Sequence, residues 1–326
     1  MKKRRISVLR GGPGHERAYS LRSGKSALDS LRVEHDVVDI VVDSTGDWYV
    51  DGFKVAPEAI MALSDGFMNT IPGSYGEDGT AQRMLEQFGA KYFGSRGGAS
   101  ITSLDKAAAK RTFREAGLRT PVWREYELPA TGRREFVLNL IDELHETFPL
   151  PAIVKPRRGG LSVGTGIIIS KDHILPALHA AFSMAPSIIV EEYIDGVEVT
   201  CAILEGMRGQ NLYTAPPAKV SRSPYCVYDF ATKTCDDQTF ETPAPLCERH
   251  KREVEEWARK AHASLGLRHV SRSDFVVHPR RGVYIIETNS VPSYKPGDSF
   301  MTAFPAVGAS EGELYDAIVR GILGIG

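Results

Sequence analysis

The stretch SRSDFVVHPRRGVYIIETNS, residues 271–290, sets Arg272 and Asp274 ahead of a turn and Glu287 and Asn289 behind it, inside segments otherwise rich in Val, Ile, Phe and Tyr. Such segments around Pro279-Arg280-Arg281-Gly282 predict two antiparallel strands, Ser271 to His278 and Val283 to Asn289. With Arg280 and Arg281 as a two-residue loop, Asp274 faces Glu287 and Arg272 faces Asn289, and strand alternation puts all four side chains on one face. Carboxylates directly opposite each other repel, so the pair asks for a cation. Hard oxygen donors from Asp, Glu and Asn suit Mg²⁺, which shares itself between carboxylates and nucleotide phosphates. A solvated polar face, with Arg272 paired to a neighbour, is the competing reading of the hairpin alone.

At 326 residues the chain is long enough for two or three domains, each with its own core. Forty basic against 41 acidic residues, with no long run of one sign, argue against nucleic acid or an anionic membrane as partner. The apolar run after the basic opening, Ile6 to Leu9, is too short for a signal-peptide core and reads as a first strand. No apolar stretch approaches the length of a membrane span. Cys201, Cys226, Cys235 and Cys247 form no C-x-x-C pair, which predicts free thiols and a reducing cytoplasm.

The first ninety-odd residues alternate strand and helix and predict a small parallel sheet. The block after Ser103 reads as α+β: a helix over Asp105 to Ala116, a helix from Arg133 to Thr147, strands flanking a glycine-rich turn, and the strands SIIVEEYI, VEVTCAILEG and NLYTAPPAKV. Residues 217–246 carry little periodicity and are too long for an idle connection, so they read as an active-site loop. A helix from Glu248 to Leu265, the hairpin and a last helix from Glu311 to Ile322 complete the chain.

Four further stretches carry chemistry. KPRRGGLSVGTG, residues 155–166, puts Lys155 at a strand end before closely spaced glycines, the pattern of a phosphate-covering loop or of an ordinary glycine-rich hairpin. SIIVEEYIDGVEV runs a buried strand into Glu191, Glu192, Tyr193 and Ile194 and then to Glu198, which suits a linker along a nucleotide cleft, although strand ends commonly carry Glu. In RGGPGHERAYSLRSG a helix start could hold an anion, and Glu16 beside it would attract an amine. Lys106 and Lys110 share a helix face, and most such pairs are solvated.

Taken in order, these stretches resemble the D-alanine:D-alanine ligases of the ATP-grasp superfamily, from VLRGGPGHERAYSLRSG through GEDGT, LDKAAAKRTFREAGLRTP, IVKPRRGGLSVG and VEEYIDGVEVTCAIL to R-S-D and E-T-N-S-V-P. The resemblance implies an ATP-grasp fold, α/β and α+β, behind a small N-terminal parallel-sheet domain. Its domains would be 1–102 on the substrate side, 103–195 central, and 196–326 with metal site and loop. It implies ATP contacts from Lys106, Lys155, Gly160, Ser162, Glu191, Glu192, Tyr193, Ile194, Glu198 and Lys233, and two Mg²⁺ ions, replaceable by Mn²⁺, on Asp274, Glu287 and Asn289. Arg272, Glu16, Lys233 and Ser293 become the catalytic set. The implied reaction joins two D-alanines through an acyl phosphate for peptidoglycan precursor synthesis, in a cytoplasmic homodimer without nucleic-acid or membrane partners.

Some positions depart from the family pattern. Leu161 replaces a serine and Thr234 a tyrosine, which leaves Glu16 without its usual hydrogen-bond partners; Pro72-Gly73 replaces His-Gly, and Ser293 replaces a glycine beside the expected oxyanion site. The first-substrate pocket is therefore expected to be less polar, with adjacent Ser162 as a compensating hydroxyl. Two alternatives follow: a ligase of the same chemistry for another amino acid or a 2-hydroxy acid, and a nucleotide-binding protein that has lost ligation.

Overall fold

The computed structural model describes residues 2–160, 162–221 and 238–325. Leu161, Cys226, Lys233, Thr234 and Cys235, and with them most of the expected 217–246 loop, lie outside the described residues.

The first sheet is built on β1 (Arg5–Gly11), β2 (Asp36–Val42), β3 (Trp48–Val50), β4 (Phe53–Val55), β5 (Gly66–Asn69) and β6 (Tyr92–Phe93), in the order β4-β3-β2-β1-β5-β6. β2, β1, β5 and β6 run parallel as expected, but β3 and β4 add an antiparallel hairpin at one edge, so the sheet is mixed. Its first crossover is α1 (Arg17–Leu31), which buries Ala27, Leu28 and Leu31 against Ile6 and Val8. Two short helices follow, α2 (Pro57–Met61) and α3 (Thr80–Gln87).

After α4 (Gly97–Leu104) and α5 (Lys106–Glu115), a second sheet of four antiparallel strands has the order β7-β10-β8-β9, from β7 (Trp123–Glu127), β8 (Ala152–Pro156), β9 (Gly166–Ile168) and β10 (Ser187–Glu192). α6 (Arg133–Thr147) and α7 (Ile174–Met184) cover it, and the core Leu140, Leu144, Val154, Ile168, Leu178, Ile188 and Val190 comes from this block alone.

The third sheet is antiparallel throughout: β11 (Val197–Leu204), β12 (Tyr213–Thr214), β13 (Ala218–Ser221), β14 (Thr239–Glu241), β15 (Val270–His278) and β16 (Gly282–Asn289), ordered β14-β13-β11-β15-β16 with β12 also on β11. The single strand expected over NLYTAPPAKV is two, broken around Ala215-Pro216-Pro217, where proline cannot donate to a ladder. The ends of the expected loop are likewise ordered, since β13 pairs with β14 from Lys219–Glu241 to Ser221–Thr239.

Two cores tie distant parts of the chain together. α5 and α8 (Glu248–Ser264) bury Ala109, Phe113, Val254, Ala258 and Ala261 against Val199, Ile203, Phe275 and Ile285 of the third sheet. α9 (Ser299–Ala303) and α10 (Glu311–Leu323) contribute Phe300, Ile318 and Ile322 to a core shared by Ile6, Val8 and Met68 of the first sheet and Ala202 and Leu204 of the third.

Candidate active site

The hairpin β15–β16 pairs Arg272 with Asn289 and Asp274 with Glu287, as its sequence predicts, but by a different route. Near the turn Val277 pairs with Val283 and His278 with Gly282, which leaves Pro279, Arg280 and Arg281 in a three-residue loop, with Gly282 at φ +79°. That register alone would turn Glu287 off the face. Ile286 is an extra residue opposite the step from Asp274 to Phe275, and this bulge restores the expected pairing.

β11 lies on the other side of β15, and the cross-strand register gives three rungs on one face: Glu198–Val276–Tyr284, Thr200–Asp274–Glu287 and Ala202–Arg272–Asn289. The first rung is apolar at its centre, where Val276 and Tyr284 pack with Ile194 and Ile286, and exposed Glu198 stands at its edge. The second rung carries the facing carboxylates. On the third, Arg272 donates from Nε and Nη2 to Asp274 at 3.0 and 2.8 Å, and Asn289 Nδ2 lies 3.5 Å from Asp274 Oδ2.

Burial raises the pKa of Asp274, and Glu287 opposite adds to the rise, against the pull of Arg272. Glu287 is also penalised by burial, but Lys106, Lys155 and Arg272 more than offset it and lower its pKa. Two half-buried carboxylates in this relation, with an amide oxygen at the next rung, fit a hard divalent cation.

Above this face lie the lysines. The solvated pair expected at Lys106 and Lys110 is not what forms: Lys110 is fully buried, and only 11% of the Lys106 side chain is exposed. α5 turns this face into the protein, where Lys106 donates to Gly159 O at 2.6 Å and sits 3.8 Å from Glu287 Oε2. Lys110 Nζ lies 2.8 Å from Glu191 Oε2 and donates to Thr120 Oγ1 at 2.9 Å, while Lys155 pairs with Glu191 Oε1. Burial alone would raise the Glu191 pKa, yet Lys110 and Lys155 hold it down at about 2. Lys155 is raised because Glu191 and Glu287 outweigh its burial, and burial brings Lys110 down to about 8. The Glu191 carboxylate thus faces lysines rather than open cleft, and Lys110 is a member of the site that sequence reasoning assigned to solvent. The one sequence signal for it was the shared face with Lys106.

The glycine-rich turn between β8 and β9 is fastened at its base. Asp105 caps α5 through Ala108 N–H and receives Arg157 Nε at 2.8 Å and Arg158 Nε at 3.0 Å. Ser162 takes a left-handed φ of +57° within this turn. Glu192 pairs with Arg281 of the hairpin loop, Tyr193 is exposed and Ile194 enters the apolar rung.

Glu16 stands at the N-terminal side of the same turn and is not without a partner, since Gly160 N–H donates to its Oε1 at 3.1 Å. A Cβ at Gly73, whose φ is +66°, would fall 2.7 Å from that oxygen, so glycine there leaves room for the carboxylate. Sequence reasoning gave no role to Glu77. It is buried and receives Gly73 N, Ser290 N, Ser290 Oγ and Val291 N at 2.7–3.0 Å, binding the GEDG turn to the end of β16. Ser293 is buried just beyond, and its hydroxyl accepts from Lys295 N at 3.2 Å.

A mixed sheet followed by two antiparallel sheets, with a carboxylate-bearing hairpin face and a lysine-headed glycine loop, defines an ATP-grasp protein. A solved structure of the VanG D-Ala:D-Ser ligase from Enterococcus faecalis superposes with a TM-score of 0.83 at 22% identity, covering 98% of this chain and all of that one. The D-alanine-D-alanine ligase from Coxiella burnetii gives 0.80 at 21% identity, over 99% and 95% of the two chains. A family model described as "D-ala D-ala ligase C-terminus" matches residues 113–323. The D-alanine--D-alanine ligase of Anaeromyxobacter dehalogenans is 33% identical over 98% of this chain and 96% of its own, and that of Citrifermentans bemidjiense 33% identical over 99% and 96%. The chain belongs to the D-alanine–D-alanine ligase family.

Proposed function

We propose that this protein is an ADP-forming ligase that joins two D-alanines, with ATP and divalent metal as the nucleotide system, for peptidoglycan precursors in the cytoplasm. The observation that carries the reading is the rung order of the hairpin face: apolar surface, then facing carboxylates, then a guanidinium. Adenine suits the Ile194, Val276, Tyr284 and Ile286 cluster, and its ribose hydroxyls suit Glu198 at the margin. The polyphosphate then runs toward Lys106, Lys155 and the backbone around Gly160 and Ser162.

Asp274, Glu287 and Asn289 are the residues that would hold Mg²⁺, two ions in our reading. When bound, the metal neutralises phosphate charge. A carboxylate is a poor acyl donor, so activation is needed. One oxygen of the first D-alanine attacks the γ-phosphorus, ADP leaves, and an acyl phosphate forms while Lys155 and Lys106 offset its charge. Glu16 receives the ammonium group of that D-alanine. The second amine attacks the acyl carbon, Arg272 and the Ser293 hydroxyl face the oxyanion, and phosphate departs.

Lys233 belongs to this proposal through the family resemblance alone. So do the three-domain division 1–102, 103–195 and 196–326, and assembly as a homodimer, which sedimentation velocity tests. Retention of Arg272 beside the acidic pair speaks against a mere nucleotide binder, which needs no oxyanion donor. Incubation with ATP, Mg²⁺ and D-alanine, followed by mass measurement of the product, tests the function. A D-alanyl-D-alanine mass is expected. No product from D-alanine, with product from another amino acid or D-lactate in a parallel panel, would transfer the reading to the related ligase.

A further inference from the structure

Beyond Arg272 the cleft ends in groups to which the family resemblance assigned no role. Tyr19 lies in the first turn of α1, three residues after Glu16, the residue at the helix N-cap. Its hydroxyl donates to Asp298 Oδ2 at 2.5 Å, and Asp298 Oδ1 accepts Ser299 N–H at 2.7 Å at the start of α9. One α1 turn further on, Ser23 Oγ accepts Tyr294 N–H at 2.9 Å, so the 290–298 segment is fixed along this helix. Asp298 is half-buried; its Oδ1 also accepts the Ser299 hydroxyl at 3.3 Å, while Oδ2 keeps a second lone pair. Burial first, then Asp298, raises the Tyr19 pKa well above the ordinary phenol value, so Tyr19 stays a donor.

Other carboxylates of the cleft have defined partners. Asp274 faces Arg272, Glu287 faces Lys106 and Lys155, Glu191 faces two lysines, Glu77 takes four donors and Glu16 meets the glycine turn. Asp298 also lies within electrostatic reach of Arg272, on the side of the cleft to which the acyl carbon is assigned.

The geometry points to Asp298, oriented by Tyr19, as the catalytic base that receives the incoming acceptor amine. This rests on the ligase reading. The acceptor arrives as an ammonium ion, which has no lone pair to attack with. One N–H proton passes to Asp298, the freed lone pair forms the C–N bond, and the C–O bond to phosphate breaks with its electrons on the departing inorganic phosphate. The second N–H proton is lost to that phosphate, and Asp298 returns its own to water.

Hydroxylamine supplies the test, because it is largely neutral at pH 7 and attacks an acyl phosphate without a base. Full-length parent, Asp298→Asn and Tyr19→Phe are assayed with ATP, Mg²⁺ and D-alanine, reading dipeptide in one arm and hydroxamate in the other. Asparagine still accepts from Tyr19 and still caps α9, so the fold is kept. Asp298→Asn is expected to cut the dipeptide rate by about 10²-fold or more while hydroxamate formation persists. Tyr19→Phe is expected to show the same split, smaller. Equal loss in both arms, or no loss in either, overturns the assignment. Absence of both dipeptide and hydroxamate from the parent overturns the ligase reading itself, and the assignment with it.

Discussion

Glu191 is the residue on which the lysine cluster depends. It is 3% exposed and sits between Lys110 and Lys155, so replacing it with glutamine takes the directly paired carboxylate from two buried cations and leaves Lys155 only the more distant Glu287 and Asp274. Breaking a buried ion pair on one side costs about 3–5 kcal/mol, which Glu191→Gln should display as a lowered urea midpoint at unchanged slope. His269 gives a pH effect away from the site. Its Nδ1 accepts Gly94 N–H at 3.0 Å, and its ring stacks on Phe93, which joins the first sheet to the start of β15. Burial, with Arg268 adding to it, lowers its pKa from 6.5 to about 4. Folding therefore favours the neutral ring. The stabilisation is complete above pH 6.5 and is lost as pH falls toward 4, at most about 3 kcal/mol and less for the part of the ring that meets water. Urea midpoints at pH 7 and pH 5 should diverge in the parent and converge in His269→Gln.

At the scale of elements, the bulge at Ile286 decides which way Glu287 and Asn289 point. Phe275 already faces Ile285 and Asp274 faces Glu287 across it, so deleting Ile286 removes the bulge and leaves those pairs in a regular ladder with Glu287 still on the site face. The deletion variant is expected to fold and to retain ATP-dependent ADP release, as is Ile286→Val, and loss of release by the deletion variant alone would contradict this register. The hairpin also marks how much the sequence discloses. Alternating apolar residues around a Pro and Gly turn announce two strands, and the facing of Asp274 and Glu287 follows once a register is assumed. The three-residue loop and the bulge are invisible at that level, and their effects cancel at the rungs that matter. The lysines of α5 fared differently: i,i+4 spacing says they share a face but not what covers it, and the cover, Glu191, comes from β10 some eighty residues later. Glu77 escaped notice for the same reason, because its partners at Ser290 and Val291 are more than 200 residues away.

For the whole molecule, the distribution of cores predicts how it unfolds. The second sheet and its helices own a separate core, whereas the first sheet shares one with α9, α10 and the third sheet. Ile318 of α10 is fully buried in the shared core. Ile318→Ala should cost about 2–5 kcal/mol, and hydrogen exchange should quicken in β1, β5 and β11 together while β8 and β10 hold their protection. The same sharing keeps Glu16 and Tyr19 of α1 in register with Arg272 and Asp298, so the site depends on both ends of the chain. The central claim is that the Asp274–Glu287 rung handles the terminal phosphates of ATP for transfer to an amino-acid carboxylate. Its most direct test is ADP release by the purified protein with ATP and Mg²⁺, with and without D-alanine, for the parent and for Asp274→Asn. The account predicts D-alanine-dependent ADP release in the parent and a loss of about 10²-fold or more in the variant. ADP release by the variant at the parent's rate would contradict it.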